Sequence, residues 1–545
     1  MGLTLNNLKK HPHKKHIEAT HMIPLAQLSK ATREALAYVE AQPGVRECEV
    51  FISSNGSLFA RLNYTSRIPS NGLEEPKSLE SYGVGLRVAF NSPEGVKIGF
   101  GSEPSDISIQ GVTRALEKAR RGAVRDPEFV SLPRPTRGAK RTLRNYHDPR
   151  IMRMQDGHLV DAGWQVLESA LDVFGSSEEL MSAAASPAGV AEMGLILGGD
   201  VVALQERIAI ASTHMPRVQT DQSTLIMSFA TAMVEDQFAK GTAWSVAARL
   251  DELSGQAGAD AARNAIRSMG GQRVPSGKYR VVFGPQPMMD LLNFVIMPCF
   301  DLGTFYAGVS AFQGKLGRQI ASEQLSLYDD GSAPGLAGSK GITDEGLPTG
   351  RTTIIEKGRL VGLMSDYYQT QRMLRDPQAR QKLGVDPAQN PAAIAPRNGF
   401  RTGHGGGRHF DQGPGTTATN VVIEGSPGRS AEELIRTVGD GLYIGRIWYT
   451  YPINGIAAGD FTCTVVGDSY IIKDGKLAAP LKPNTLRISD SIHNVLNNIL
   501  GVGTERQGTI VWAADQIMYM PEIAFASVNC AEIAEYMEDA WGKGG

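Results

Sequence analysis

The carboxyl-terminal half of this 545-residue chain alternates short apolar segments with turns that contain glycine. Apolar segments of about four to eight residues between such turns predict β-strands. Five of them lie at residues 352–355, 420–424, 442–448, 461–466 and 469–472. Glycine contributes 61 residues, a surplus that favours tight turns and close approaches between strands. The sequence therefore predicts a strand-rich carboxyl-terminal domain at residues 275–545, beginning where Pro275, Ser276 and Gly277 break the chain.

The region at residues 23–124 predicts a unit of strands and helices. Helical periodicity indicates one helix at residues 23–39 and another that Ser105 or Ser108 caps. Strands are predicted at residues 48–53, 56–64, 82–90 and 96–100. Because Asn55-Gly56 is a strong turn signal, we expect the first two strands to form a hairpin.

The rest of the amino-terminal half divides by composition. A basic tail at residues 1–22 is expected to be disordered, and three prolines make residues 125–142 a predicted linker. The segment 143–274 is a middle α/β segment, with predicted helices at 160–174 and 257–269 and predicted strands at 190–197, 201–212 and 223–230. The whole chain is therefore predicted to be α+β, with an amino-terminal α/β sandwich-like domain.

Charge and cysteine content narrow the function classes. With 55 basic and 57 acidic residues, the chain lacks the basic surplus typical of nucleic-acid-binding proteins, so no nucleic-acid partner is expected. No apolar run approaches the ~20 residues that span a bilayer, and the basic amino terminus has no apolar segment after it. The four cysteines are widely separated, which favours a reducing compartment. A cytoplasmic protein without a membrane partner is expected.

Histidines and paired acids are the residues from which a metal or acid–base site would be built. His404 and His409 lie close together in a glycine-rich stretch and could supply two metal ligands, but no third ligand is evident. A flexible loop is the favoured interpretation. Asp329-Asp330 and Asp344-Glu345 each precede a glycine, and we expect them to cap turns more readily than to act as general acids or cation ligands.

Eight sequence fragments together resemble the TldD/PmbA family, once called modulators of DNA gyrase. They lie at residues 83–88 (GVGLRV), 98–101 (IGFG), 279–285 (YRVVFGP), 310–317 (SAFQGKLG), 329–331 (DDG), 344–349 (DEGLPT), 440–444 (DGLYI) and 459–462 (GDFT). Their order and spacing match the family across most of residues 30–525. The resemblance implies a peptidase fold whose members pair into dimers that enclose a proteolytic chamber.

The same resemblance implies that this chain lacks the family's zinc site. The TldD-like subunit carries H-E-x-x-x-H and a distant cysteine, and the PmbA-like (TldE) subunit does not. Here Asn293 and Phe294 stand where the first histidine and the glutamate are expected, and Pro298 stands where the second histidine is expected. No cysteine lies at residues 501–511, where the third ligand is expected. No cofactor is therefore expected in this chain, and zinc is expected in a TldD-like partner.

The function implied is that of a non-metal subunit of a dimeric zinc metallopeptidase, inactive alone, which acts on unstructured peptides for leader removal or degradation. The alternative is a homodimeric peptide-binding or maturation factor without proteolysis of its own. A third interpretation is a hydrolase that rebuilt a metal site from its two close histidines. Substrate-binding residues are predicted mainly in the loop at 401–415, which we expect to line the cleft and to be mobile before peptide or partner arrives. The candidates are Arg401, Gly403, His404, Arg408, His409 and Asp460.

Overall fold

The computed structural model describes residues 22–68, 71–135, 143, 146–403, 407–510 and 516–533. The prediction for the tail at 1–22 lies outside these residues except for Met22, and so does the carboxyl-terminal part of the predicted linker, residues 136–142. Helices and strands are mixed along the chain, so the predicted α+β class is confirmed. Within the described ranges, no helix has the length and apolar character needed to cross a bilayer.

One large sheet and the helices that cover it form the amino-terminal half. The helices are α1 (Leu25–Glu40), α2 (Ile109–Arg121), α3 (Asp156–Ser176), α4 (Glu178–Ala184), α5 (Pro187–Glu192) and α6 (Gln256–Arg267). The strands are β1 (Val45–Thr65), β2 (Gly72–Leu73), β3 (Lys77–Ser92), β4 (Gly95–Pro104), β5 (Val124–Arg125), β6 (Leu195–Ser212), β7 (Gln219–Val234) and β8 (Ala239–Ala247). Their order is β5-β4-β3-β1-β6-β7-β8, with β2 beside β1.

Strand β1 is central to this sheet, and both of its faces are buried. Val50 and Ile52 pack into the core beneath α1 and α2. Phe51 points to the opposite face, where it packs with Ile342 and Phe410 of the carboxyl-terminal half. Successive side chains of a strand point to opposite faces. Residues 50–52 of β1 are apolar without interruption because both faces are covered: helices cover one face of the sheet, and the carboxyl-terminal half covers the other.

The predicted hairpin at Asn55-Gly56 is wrong, because β1 passes through this position without a turn. Asn55 pairs with Ser81 of β3 on one side and with Glu206 of β6 on the other. Gly56 permits a close approach instead: a Cβ atom there would lie 2.3 Å from Oε1 of Gln205. Two long ladders of backbone hydrogen bonds override the local turn signal.

The middle segment at 143–274 is not a unit separate from residues 23–124. Strand β6 pairs with β1 along its whole length, from Ser212 opposite Glu49 to Ile196 opposite Thr65. The two predicted units are therefore corrected to one sheet. The strand predicted at residues 190–197 begins later, at Leu195, because α5 occupies the preceding residues.

Two further sheets dominate the carboxyl-terminal half, with short helices between the strands. The helices are α7 (Pro285–Leu291), α8 (Leu302–Ala307), α9 (Tyr367–Arg375), α10 (Ala379–Leu383), α11 (Ala431–Val438) and α12 (Ile492–Asn497). The strands are β9 (Gly277–Phe283), β10 (Leu325–Asp330), β11 (Arg351–Glu356), β12 (Arg359–Leu360), β13 (Gly399–Phe400), β14 (Gly415–Thr416), β15 (Asn420–Gly425), β16 (Gly428–Arg429), β17 (Gly441–Ile444), β18 (Arg446–Ile453), β19 (Asp460–Gly467), β20 (Tyr470–Lys473), β21 (Lys476–Pro480), β22 (Leu486–Ser491), β23 (Ile499–Gly503), β24 (Gln507–Ile510), β25 (Ile517–Met520) and β26 (Ile523–Glu532).

The larger of these sheets has the order β18-β19-β22-β26-β9-β17-β20-β21, and the smaller has the order β12-β11-β10-β15-β25-β24. One apolar core joins both, and it includes Phe283, Phe300 and Phe525. The strand predicted at residues 442–448 is split into β17 and β18 at Gly445, where a Cβ atom would lie 2.0 Å from the carbonyl oxygen of Asp468. The split leaves β18 at the edge of the larger sheet.

Helices α3 and α6 pack so closely that a glycine is required between them. A Cβ atom on Gly258 of α6 would lie 1.9 Å from the carbonyl oxygen of Val166 in α3. We expect Gly258→Ala to lower the free energy of unfolding by about 1–3 kcal/mol, because overpacking must push the helices apart. Urea titration followed by circular dichroism measures this difference.

The matched control is Gly157→Ala at the start of α3, where nothing lies within 4 Å of the added methyl group. This change should leave stability unaltered or raise it by up to about 1 kcal/mol, as alanine favours helix. Equal stability of the two variants would show that the helices tolerate the methyl group.

Candidate functional site

The resemblance places the family's zinc motif at the end of helix α7, and this helix ends in an unusual turn. Helix α7 continues into a π-helical turn at Leu292–Ile296 and then into a 3₁₀ turn at Met297–Phe300. Asn293 is half-buried, and its Oδ1 accepts a hydrogen bond from Nε2 of Gln516 at 2.6 Å. Phe294 is 43% exposed, and Pro298 is half-buried. π-Helical turns often occur at functional sites, which makes this turn the first candidate.

The residues around this turn do not fit a zinc ion. Zinc in proteins needs three or four thiolate, imidazole or carboxylate ligands. Asp290 is one carboxyl group on the same helix; burial raises its pKa to about 6, and the Thr450 hydroxyl donates to it at 3.2 Å. Among the residues that the structure describes, no group of three or more histidine, cysteine, aspartate or glutamate side chains is arranged to hold a metal.

Strand β18 lies next to this turn and exposes several aromatic side chains. Trp448, Tyr449 and Tyr451 are 47%, 70% and 52% exposed. Tyr449 has a positive φ of 52°, at a point where the pairing of β18 with β19 shifts register. The guanidinium of Arg446 lies 5.3 Å from the centroid of the Trp448 ring. An edge strand offers unpaired backbone groups, so this edge can accept another extended segment.

The substrate-binding prediction for Arg401 and Arg408 is corrected, because both side chains are fully buried. Arg401 donates through Nη1 to the carbonyl oxygen of Gln412 at 2.7 Å and through Nη2 to the carboxylate of Glu49. Its backbone N–H donates to Oδ2 of Asp344 at 2.7 Å. These donors are committed within the protein and do not face a peptide.

Arg408 is held in the same way by two carboxylates. Its Nε donates to Oδ1 of Asp344 at 2.6 Å, and its Nη1 donates to Oδ2 of Asp221 on β7 at 2.7 Å. Its Nη2 donates to the carbonyl oxygen of Ile342 at 2.7 Å. The two arginines therefore join the loop at residues 401–415 to strands β1 and β7 of the amino-terminal sheet.

The other predicted binding residues fall in different places. A Cβ atom on Gly403 would lie 2.4 Å from the ring of His409, so this glycine allows the loop to fold on itself. Nδ1 of His409 lies 3.8 Å from Oδ1 of Asp411. The prediction for His404 lies outside the described residues. Asp460 lies at the start of β19, opposite Ile453 of β18, and accepts a hydrogen bond from Asn454 at 3.2 Å.

Asp330 caps a turn as predicted, because its Oδ1 accepts a hydrogen bond from the backbone N–H of Ser332 at 2.9 Å, whereas the other three paired acids are buried anchors. Asp329 accepts hydrogen bonds from the Thr419 backbone and from Asn398, both at 2.7 Å. Glu345 is also fully buried, and its Oε2 accepts a hydrogen bond from the backbone N–H of Tyr367 at 2.8 Å. Burial and the negative charge of Asp366 raise the pKa of Glu345 to about 8. Sequence analysis missed these roles, since nothing local to an Asp-Glu-Gly turn indicates its burial.

The aromatic edge was also missed, although a signal existed. Trp448, Tyr449 and Tyr451 all fall in one four-residue stretch, although aromatic residues make up only 7% of the whole chain. Such a cluster predicts a buried core segment or a contact surface, and only the position of β18 at the sheet edge decides between them.

Loss of the Arg401 side chain should destabilise the fold. Arg401→Ala leaves Glu49 buried without one of its partners, which typically costs about 3–5 kcal/mol. Thermal and urea unfolding of the variant should both show this loss. The control is Arg61→Ala, which removes an exposed ion pair with Asp200 and should cost about 1 kcal/mol or less. A fully stable Arg401→Ala protein would contradict the structural role.

Glu345 should make stability depend on pH. Its pKa is raised in the folded state to about 8 from an ordinary value of 4.5, so the folded protein binds this proton more tightly than the unfolded chain does. Its contribution to stability is therefore present below pH ~4.5 and is lost as pH rises towards 8. Glu345→Gln should gain stability relative to the unchanged protein between these pH values, as urea unfolding at several pH values will measure. A constant difference across this range would contradict the raised pKa.

Comparison with known proteins gives a family match for one part of this chain. Residues 276–532 match the family model described as the PmbA/TldA metallopeptidase C-terminal domain. A metalloprotease of Methanothermobacter thermautotrophicus is 26% identical over 258 residues, which are 47% of this chain and 48% of that protein. A metalloprotease TldD homolog of Buchnera aphidicola is 26% identical over 228 residues, which are 42% of this chain and 41% of that protein. The chain thus matches less than half the length of these curated relatives.

Solved structures match over a larger part of the chain. The structure of TldE from Thermococcus kodakarensis has a TM-score of 0.72 at 17% identity and covers 92% of this chain and 100% of its own. A putative modulator of DNA gyrase from Thermotoga maritima has a TM-score of 0.69 at 17% identity and covers 92% of this chain and 99% of its own. The resemblance to the TldD/PmbA family is therefore confirmed for residues 276–532, which match its carboxyl-terminal domain, and the chain as a whole has the fold of these structures.

Proposed function

We propose that this chain is a PmbA/TldE-like subunit that holds no zinc and works in a dimer with a zinc-bearing TldD-like subunit. The observation that carries the proposal is the chemistry of the turn after α7. Asn293, Phe294 and Pro298 stand where the resemblance places the zinc motif, and Asn293 already accepts a hydrogen bond from Gln516. Neither phenylalanine nor proline offers a zinc ligand or a base. The catalytic ion must then come from the partner subunit.

The substrate proposed is an unstructured peptide, which this chain helps to bind along β18. An extended peptide gains main-chain hydrogen bonds by adding to the edge of a sheet, with little demand on its sequence. The aromatic side chains of β18 and the exposed ring of Phe294 would cover apolar side chains of such a peptide. The reaction of the complex is proposed to be peptide hydrolysis, for leader removal or for degradation.

A second candidate is a homodimeric peptide-binding or maturation factor that does not hydrolyse peptides. The same exposed edge supports it, because a binding edge needs no metal. The two candidates differ in one outcome: only the first gives peptide hydrolysis that requires both this chain and a zinc-bearing TldD-like subunit. Assays of each chain alone and of the mixture, with an unstructured peptide, distinguish them.

The purified chain should contain no stoichiometric zinc after extensive dialysis, because the turn after α7 offers too few ligands. Elemental analysis measures the zinc content, and a TldD-like subunit treated in parallel serves as the positive control. One tightly held zinc ion per chain would contradict the proposal. It would support a metal site that includes His409 instead.

Removal of two exposed rings from β18 should weaken peptide binding without unfolding the chain. Trp448→Ser combined with Tyr451→Ser should raise KM of the reconstituted complex by about thirtyfold, since stacking and apolar contacts of this kind contribute about 1 kcal/mol each. The control is Phe238→Ser, because Phe238 is 80% exposed and lies outside β18, in the turn between β7 and β8. Unchanged KM with intact dimerisation would exclude β18 as the peptide edge, and loss of dimerisation would assign it to the subunit interface.

A further inference from the structure

A cavity of about 500 Å³ lies where the amino-terminal sheet meets the carboxyl-terminal half. Strands β3 and β4 supply Arg87, Ile98 and Phe100, and the starts of α8 and α9 supply Asp301 and Asp366. Residues 413–416 of the loop close another side. The cavity shares no lining residue with β18 or with the turn after α7, so it is a site separate from the proposed peptide edge.

Among the described residues that line this cavity, Arg87 is the only cation, and it is already paired with carboxylates. Nη2 of Arg87 lies 2.9 Å from Oε2 of Glu49 and 3.8 Å from Oε1 of Glu345. Glu49 also holds the buried guanidinium of Arg401. Two arginines therefore share Glu49, and Arg87 also contacts Glu345. The carboxyl groups of Asp301 and Asp366 have no ion-pair partner within 4.0 Å among the described residues.

The two aspartates retain free hydrogen-bonding capacity towards the cavity. Oδ1 of Asp301 accepts from the Thr304 backbone at 3.1 Å, and Oδ1 of Asp366 accepts from the Gln369 backbone at 2.8 Å. Oδ2 of Asp366 also accepts a long bond of 3.3 Å from the Thr416 hydroxyl. A carboxylate offers about four acceptor positions, so each aspartate can still accept from a ligand.

Glu345 adds an independent sign of missing positive charge. Its side chain is fully buried beside Asp366, and its Oε1 has no hydrogen-bond donor among the described residues. Burial raises the pKa values of Glu345, Asp366 and Asp301, and nearby carboxylates raise those of Glu345 and Asp366 further. The ionised forms of these carboxyl groups are therefore poorly stabilised, and a cationic ligand bound in a partly enclosed space of this size would stabilise them and lower their pKa values.

The shape and lining indicate an organic cation more than a metal ion. A zinc ion would need three or four histidine, cysteine or carboxylate ligands close together, and the described residues contain no such group. Ile98 and Phe100 instead provide an apolar wall that methylene groups can cover. We propose that this cavity binds an alkyl guanidinium or primary ammonium group through the carboxylates of Asp301 and Asp366.

A small amine and the arginine or lysine side chain of a peptide share this chemistry. Calorimetric titration of the full chain with n-butylguanidinium and with N-acetyl-arginine methylamide separates these sources. Saturable binding of either probe supports the site: the first alone indicates a small molecule, and the second alone indicates a peptide side chain. The matched neutral probes are n-butylurea and N-acetyl-citrulline methylamide, which we expect to bind at least about tenfold more weakly.

The variant Asp301→Asn combined with Asp366→Asn tests the assigned residues. Asparagine keeps the size and the helix-capping ability of each side chain but removes the charge, so affinity should fall by about tenfold or more. Asp161→Asn, an exposed change on α3, should leave affinity unchanged. Unchanged binding by the folded double variant overturns the proposal.

The neutral probes test the proposed cation site even if the double variant fails to fold. Equal affinity of the charged and neutral probes for the unmodified chain, or no saturable binding of either cation up to about 10 mM, also overturns the proposal.

Discussion

A group of buried ion pairs holds the two halves of this protein together. Arg401 and Arg408, from one loop of the carboxyl-terminal half, contact Glu49 on β1 and Asp221 on β7. Asp344 lies between them and accepts hydrogen bonds from both arginines. Removing charges from water is costly, so such a group persists only when every partner is in place. The ion pairs therefore fix where the carboxyl-terminal half sits on the amino-terminal sheet.

This fixed placement explains the glycines of the first family fragment. A Cβ atom on Gly85 of β3 would lie 2.0 Å from the carbonyl oxygen of Phe410, two residues after Arg408. A Cβ atom on Gly83 would lie 2.6 Å from the Phe410 ring. Only strands without side chains at these points allow the loop to reach the sheet and bury its arginines. The same loop continues into residues 413–416, which close one side of the cavity that Arg87, Asp301 and Asp366 line.

The turn after α7 and the edge strand β18 expose their large side chains, whereas the interface between the two halves buries its charged ones. The turn carries side chains that cannot ligate zinc, and the strand beside it presents rings and backbone to the outside. A subunit that shapes a peptide-binding surface while its partner supplies the metal is consistent with both features. The separation places the charged, buried anchors in one part of the molecule and the exposed, apolar contact surface in another.

Local pattern in the sequence determined the α+β class, most helices and the strands of the carboxyl-terminal half, because periodicity and glycine turns act over a few residues. The order and spacing of eight fragments also indicated the resemblance to the TldD/PmbA family, which the family-model match confirms for residues 276–532. Only the tertiary structure decided that β1 continues through Asn55-Gly56, that residues 23–124 and 143–274 share one sheet, and that Arg401 and Arg408 are buried. Each of these depends on distant partners: Asn55 of β1 pairs with Glu206, and Arg401 contacts Glu49, which lies 352 residues away. Burial of a charge is set by such partners and not by its sequence neighbours.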